Sequence, residues 1–238
     1  MGNLPTYFRY FFDWSEAWAP LIPIFVLLKY PKQPAFLRPV IVYILIAFPV
    51  NLFGDIIGDF KEYLPNTYWF QKNLYLYNIH SLVRFVCFTY FFLALKQPFY
   101  KAIKKVIPFL YLTAMLVDLI WFEVLISENS ICSHLFTIEA FFLLAYCMIY
   151  YLSKLNNEYD AIMSGADMYV ATGLSIFVVI NFFIFLFYDA MIDDAVITKD
   201  FSIPNNMWSV HNIGYIVLCL FIAKAFASAE KINAPTFK

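Results

Sequence analysis

The fold class of this chain is decided by a stretch of 21 residues without a single charge, 168-MYVATGLSIFVVINFFIFLFY-188. A helix of about 20 apolar residues is long enough to cross the roughly 30 Å hydrocarbon core of a bilayer. The stretch therefore predicts a membrane-spanning α-helix.

Similar apolar stretches follow one another along the whole chain. Its 238 residues are 63% hydrophobic and 14% charged, with a mean hydropathy of +0.69, whereas soluble domains are nearer half apolar and a quarter charged. This composition excludes a soluble enzyme, a DNA-binding module and a disulfide-stapled secreted protein. We predict an all-α polytopic membrane protein, one domain over residues 1–238, with a seven-transmembrane helix bundle. The spans are predicted at 14–30, 38–58, 73–95, 106–127, 131–152, 168–188 and 207–228.

The connections between these stretches differ in their content of Lys and Arg. One alternate set carries eleven cations and the other set carries four. Because cytoplasmic connections are enriched in Lys and Arg, we predict an N-terminus outside and a C-terminus in the cytoplasm, in a bacterial inner membrane. A net charge of −1 provides no field that would attract nucleic acid. The expected partners are the lipid bilayer and a separate protein on the cytoplasmic or membrane side.

Polar side chains inside the spans mark the candidate site, because such residues are costly in lipid and usually point into the bundle. They are Asn51, Asp55, His80, Arg84, Asp118, Glu123, His134, Glu139, Asn181, His211 and Asn212. With the predicted orientation and a helical rise of about 1.5 Å per residue, nearly all lie in the outer half of the membrane. The inner halves are almost purely apolar, which predicts a polar pocket open to the extracytoplasmic side.

Helical spacing indicates which of these groups share a face. His80 and Arg84 are four residues apart, with Tyr77 on the same face. In the last span, Trp208, His211 and Tyr215 share a face in the same way. The residues expected to bind a ligand are Tyr77, His80, Arg84, Asp118, Glu139, Trp208, His211 and Asn212.

Three interpretations of these residues stay open from the sequence. In the first, they form structural pairs between helices, with Arg84 bound to Glu139 or to Asp118. In the second, His80, Glu139 and His211 converge on one zinc or iron ion, since imidazole and carboxylate are suitable ligands for either metal. In the third, Arg84 and the histidines hold a small polar or anionic ligand.

A lysine in the last span raises the question of a retinal cofactor. Lys224 lies at the predicted cytoplasmic boundary, about two turns beyond the middle of the membrane, and the third span carries His80 and Arg84 where a rhodopsin needs a carboxylate counter-ion. A lysine at this depth extends its amine to the interface. We therefore do not expect retinal.

Three elements together resemble a family of uncharacterised seven-span membrane proteins common in Bacteroidota. They are Trp208-Ser-Val-His211-Asn212-Ile213 at the start of the last span, His80 with Arg84-Phe85 in the third, and Glu139 in the fifth. The resemblance implies a seven-span fold and a signalling context, and it implies no reaction. Arg84 stands where an acidic residue is expected in that family.

The leading functional hypothesis is a receptor-like or sensor subunit with an outward pocket, coupled to a separate partner. An alternative is a metal-dependent membrane-embedded hydrolase acting on a lipid, similar in its logic to ceramidase and adiponectin-receptor-like hydrolases, although the last span has only His211 where they have a His-x-x-x-His pair. A small-solute transporter is the third hypothesis, and the apolar inner half argues against it.

Overall fold

The computed structural model describes residues 6–65, 73–95, 101–122, 133–156 and 165–233, and in this part of the chain it contains helices and no strand. The α-helices are α1 Thr6–Asp13, α2 Ser15–Trp18, α3 Leu21–Lys29, α4 Arg38–Phe60, α5 Leu74–Ala94, α6 Lys101–Phe122, α7 Ser133–Asn156, α8 Gly165–Leu186, α9 Tyr188–Thr198 and α10 Ser202–Asn233. This helical content supports the predicted all-α fold class.

Five helical segments in the described chain are long and apolar enough to cross a membrane. They are Ala35–Tyr63, Tyr75–Ala94, Ser133–Asn156, Gly165–Leu186 and Ser202–Ala229. These segments correspond to α4, α5, α7, α8 and α10, and therefore to five of the seven predicted spans. Helix α6 has 22 residues, a length of about 33 Å, but begins at Lys101 and not at residue 106. The predicted continuation of this span through residue 127 lies partly outside the described residues.

The first predicted span is a chain of short helices and not one continuous helix. The segment begins at Thr6, eight residues before the predicted start, and α3 ends at Lys29. Pro20 lies at the break between α2 and α3 and Pro23 lies in the first turn of α3, as expected for residues that cannot donate a backbone hydrogen bond. Around the break, the amide of Ile22 bonds to the carbonyl of Ala19, three residues back, before the regular spacing resumes. The predicted kink is therefore present.

The helices form a ring. Helix α4 packs on α5, α5 on α7, α7 on α8 and α8 on α10, and the kinked segment α1–α3 closes the ring between α10 and α4. Helix α6 lies outside the ring and packs mainly on α7. The polar site described below is formed inside this ring, whose largest fully buried side chains are mostly Phe and Tyr.

The two ends of the ring carry opposite charge. One end, which we call the acidic end, holds Asp13, Asp55, Asp59, Glu62, Asp118, Asp189, Asp193, Asp194 and Asp200, together with the two cations Lys61 and Lys199. The other, the basic end, holds Lys29, Lys32, Arg38, Lys104, Lys105, Lys154 and Lys224. Most of the acidic residues between Asp189 and Asp200 belong to helix α9, whose Ala195 is buried against the bundle. The packing of Ala195 against the bundle stabilises α9 as a helix.

Candidate functional site

Arg84 of α5 and Glu139 of α7 form a buried ion pair inside the ring. Arg84 Nε lies 2.5 Å from Glu139 Oε1 and Nη2 lies 2.7 Å from Oε2, while the Ser81 hydroxyl donates to Oε2 at 2.5 Å. Both side chains are at most 4% exposed. The sequence left two partners open for Arg84, Glu139 and Asp118. The structure contains the pair with Glu139.

The Arg84 pair leaves no room for a ligand. The guanidinium carbon lies 4.9 Å from the centre of the Phe177 ring, in a favourable cation–π arrangement. The space between Arg84, Glu139 and Asn181 is too small to hold a water molecule. An anionic ligand cannot reach Arg84 in this conformation, because Glu139 already occupies its hydrogen-bonding fork.

A second buried group joins three helices around His211 of α10. His211 Nε2 lies 2.8 Å from Glu16 Oε1 on α2, and Nδ1 lies 2.7 Å from Asn181 Oδ1 on α8. The Trp208 ring stacks on the imidazole at 5.0 Å, and the Phe177 ring lies 5.5 Å away. The polar edge of His211 is thus fully engaged, and its faces are covered by aromatic rings.

The histidine of α5 has a different environment. His80 stacks on the Tyr43 ring at 5.6 Å and meets the edge of Tyr215 at 6.3 Å. Its Nε2 is buried and has no hydrogen-bond partner among the described residues. Nearby, the Asn51 amide donates to the Tyr215 hydroxyl at 3.3 Å and to the Glu16 carbonyl at 3.0 Å. Tyr77, predicted to share the site, packs its ring against Trp208 at 6.0 Å.

The residues predicted as metal ligands do not form a metal site. Glu139 is bound by Arg84 and Ser81, and both ring nitrogens of His211 are engaged by other residues. Within the described ranges, no group of three His, Cys, Asp or Glu side chains is close enough to hold an ion. The geometry therefore does not support the zinc or iron assignment to His80, Glu139 and His211.

Asp118 lies apart from the other predicted residues, in a third group between α6, α7 and α9. His134 Nδ1 lies 3.4 Å from Asp118 Oδ1, and His134 Nε2 lies 3.8 Å from Asp189 Oδ2. The Ser133 hydroxyl donates to the same Asp189 oxygen at 2.5 Å. Asp118 is 8% exposed, whereas the His134 side chain is 49% exposed.

An open groove of about 490 Å³ runs beside Asp118 and His134. The remainder of its lining is largely apolar and consists of Ala114, Val117, Thr137, Ile138, Phe185 and Leu186. This volume lies within the range of small-molecule sites, which are mostly apolar with a few polar groups. Of the three groups, only this one lies beside a space that a small molecule could enter.

Sequence reasoning missed two buried carboxylates. Glu16, 4% exposed, lies in the short first predicted span, and its partner His211 is 195 residues away in the sequence. Asp167, 1% exposed, lies at the basic end, where its Oδ2 accepts from the Tyr150 hydroxyl at 2.9 Å and lies 3.1 Å from Lys154 Nζ. The halves of the helices at the basic end are thus not purely apolar, because a carboxylate can be buried there when a lysine from the adjacent helix reaches it. Glu123 lies outside the described residues.

Comparison with known proteins finds no match to a family model, a curated protein or a solved structure. The resemblance to the Bacteroidota family therefore stays a prediction, and function has to be argued from the chain itself.

Proposed function

We propose that this chain is a receptor-like membrane subunit of seven spans, with its N-terminus outside, that binds a small ligand at the acidic end and passes a helix shift to a separate partner. The observation that carries the proposal is the groove beside Asp118 and His134. It opens at the end of the bundle that the Lys and Arg distribution predicts to be extracytoplasmic.

The groove favours a cationic ligand with an apolar body and not the anionic ligand expected from the sequence. Its polar end presents the Asp118 carboxylate, and His134 connects Asp118 to the carboxylate of Asp189. The Asp118 carboxylate, 8% exposed beside a largely apolar groove, attracts a cation more strongly than a carboxylate in water does. An alkylammonium group would bind at this end, with its hydrocarbon part along Ile138 and Leu186.

The interior of the ring supports a receptor more than a transporter. Towards the basic end from the Arg84 pair lies a layer of completely buried apolar residues. These are Phe88, Phe92, Leu174, Leu218 and Ile222. In the part of the chain that the structure describes, no polar side chain connects the two ends through this layer, so a solute would have to break the packed core to cross.

The short connections at the basic end support a separate signalling partner. The connections from α3 to α4, α5 to α6 and α7 to α8 span 30–37, 95–100 and 157–164. Segments of six to eight residues are too short to form a domain of their own. A ligand-dependent shift of α6 against α7 would therefore be read by another protein.

The test uses three probes that share one apolar body: 4-phenylbutylammonium, 4-phenylbutanol and 4-phenylbutyrate. Binding to the purified full chain is measured by titration calorimetry and by the shift of the thermal midpoint. We expect the ammonium to bind best, and Asp118→Asn to weaken it roughly tenfold, or about 1.4 kcal/mol.

Asp193→Asn is the matched control, because Asp193 is an exposed acid of α9 that does not line the groove. Thermal midpoints without probe verify that both variants fold. Equal or tighter binding of the carboxylate probe would contradict the cationic ligand, and absence of binding by all three would remove the support for a ligand site in the groove.

A further inference from the structure

The His211 ring lies between two oxygen atoms, and this arrangement determines where its protons are. Glu16 Oε1 faces Nε2 at 2.8 Å, and Asn181 Oδ1 faces Nδ1 at 2.7 Å. Carboxylate and amide oxygens accept hydrogen bonds and do not donate them. With Glu16 ionised, both ring nitrogens carry a proton to make these two bonds, which makes the ring an imidazolium beside a carboxylate.

The neighbouring helices supply few other charges to this pair. From α8, the uncharged Asn181 and the rings of Phe177 and Phe185 face His211, and Trp208 covers it from its own helix. From α5, His80 is close enough to interact electrostatically with both His211 and Arg84. From α4, Asp55 is close enough to interact with Glu16. The Arg84 charge is neutralised by Glu139, so Glu16 is the only anion in direct contact with the His211 ring among the described residues.

The contact between Glu16 and His211 also fastens the N-terminal segment to the bundle. Other side-chain bonds also reach this segment near Glu16, among them Asn51 to the Glu16 carbonyl, Asn212 to the Phe12 carbonyl at 3.0 Å and the Trp14 indole to Asp59 at 2.9 Å. The bonds from Asn51 and Asn212 are neutral, and Asp59 is exposed. Compared with these bonds, the contact between Glu16 and His211 is both buried and dependent on protonation for its strength.

We propose that Glu16 and His211 form a proton-binding site at the acidic end, whose occupied state locks segment α1–α3 into the ring. Loss of the proton from His211 at high pH leaves the Glu16 carboxylate buried without its cation. Addition of a proton to Glu16 at low pH removes the same attraction. Docking of the segment is therefore strongest at intermediate pH. This site shares no hydrogen-bonding residue with the groove beside Asp118, although the Phe185 ring contacts both.

The first test is the protonation state of His211 itself, measured by ¹⁵N NMR on full-length protein with ¹⁵N-labelled histidine. His211→Gln identifies which signals belong to His211. We expect two protonated ring nitrogens near neutral pH. A neutral ring with one bare nitrogen would overturn the proposal.

The second test measures whether the segment is docked. Ser15 of α2 is fully buried, and Ser15→Cys places a thiol of nearly the same size there. Cys87, Cys147 and Cys219 are buried, and a Cys132→Ser background removes the remaining native thiol. Because the thiolate is the reacting form, the labelling rate of the Ser15→Cys variant is expressed at each pH relative to that of the same variant unfolded. We expect this relative rate to be lowest at intermediate pH and to increase at least about tenfold when the segment is released.

Three further substitutions, each made in the Ser15→Cys variant, make the labelling result decisive. Glu16→Gln and His211→Gln retain a hydrogen-bonding side chain but remove the charge pair, so each should label fast at every pH. His134→Gln, the matched control on the half-exposed histidine of the groove, should label with the pH profile of the parent variant. The proposal would be overturned if labelling of the parent variant did not vary with pH. It would also be overturned if Glu16→Gln or His211→Gln kept the pH profile of the parent. Either result would stand even if ligand binding in the groove were demonstrated.

Discussion

At the scale of single residues, the interior of this protein is organised by pairing of charges. Arg84 is matched by Glu139 and His211 by Glu16, in both cases from a different helix. Removing one partner of a buried pair leaves an uncompensated charge, which costs far more than losing the pair as a whole. Such pairs fix which helices can be neighbours.

We predict that Arg84→Met and Glu139→Leu each lower the free energy of unfolding by about 3–5 kcal/mol, because each leaves a buried charge alone. The double variant Arg84→Met/Glu139→Leu should recover most of this loss. Thermal midpoints and denaturant unfolding in detergent are the measurements. Additive losses in the double variant would show that the two residues do not act as a pair.

At the scale of helices, the contact between α8 and α10 depends on the absence of a side chain at Gly173. A Cβ atom there would lie 2.5 Å from the Cβ of Phe221 and 3.5 Å from the Cα of Leu218. Neither atom is the end of a flexible side chain, so the helices would have to separate. Small residues allow close approach of helices in membranes, where packing replaces the hydrophobic effect.

Gly173→Ala should therefore destabilise the bundle by about 1–3 kcal/mol, the usual cost of overpacking. Gly165→Ala is the matched control on the same helix, since its nearest neighbour would be an ordinary 3.6 Å away. Comparison of their thermal midpoints provides the measurement. Equal stability of the two variants would contradict the close contact.

The start of α10 provides a prediction outside the membrane spans. The Ser202 amide donates to Asp200 Oδ1 at 2.9 Å, and this bond holds the pKa of the exposed Asp200 carboxyl below its usual value. Its stabilising effect is present above the pKa of the unfolded chain and is lost as pH falls through the lower pKa of the folded state. Wild type should have a higher thermal midpoint than Asp200→Asn at neutral pH and lose that advantage in acid. A difference that persists in acid would point to a cause other than charge.

At the scale of the whole molecule, the charged ends of the ring and the seven-span proposal lead to one topology. The acidic end should face outwards and the basic end should face the cytoplasm. This requires the kinked segment α1–α3 to cross the membrane, even though no single helix in it is long enough to do so.

Cysteine substitutions at exposed positions test this topology in intact cells. Tyr10 and Asp194 lie at the acidic end and Leu155, 80% exposed, lies near the basic end. A membrane-impermeant maleimide should label Tyr10→Cys and Asp194→Cys directly, and Leu155→Cys only after permeabilisation. Labelling of Tyr10→Cys on the same side as Leu155→Cys would show that the first segment does not span.

The sequence by itself determined the fold class, the approximate positions of the five apolar helices and the kink at Pro20 and Pro23. Apolar length and proline chemistry are local properties, so they can be read without knowing which helices are neighbours. It also placed Arg84 and Glu139 inside the bundle, because ionisable groups in a span are expensive. It offered two partners for Arg84 without deciding between them.

Only the tertiary structure decided which polar groups meet. It paired Arg84 with Glu139, placed Glu16 against His211 and separated Asp118 into an open groove. Each of these contacts joins residues from helices distant in sequence, and their distances depend on how the ring closes. A few ångströms in the distance between helices decide whether a polar cluster is fully packed or leaves space for a ligand. The order of residues along the chain does not specify that distance.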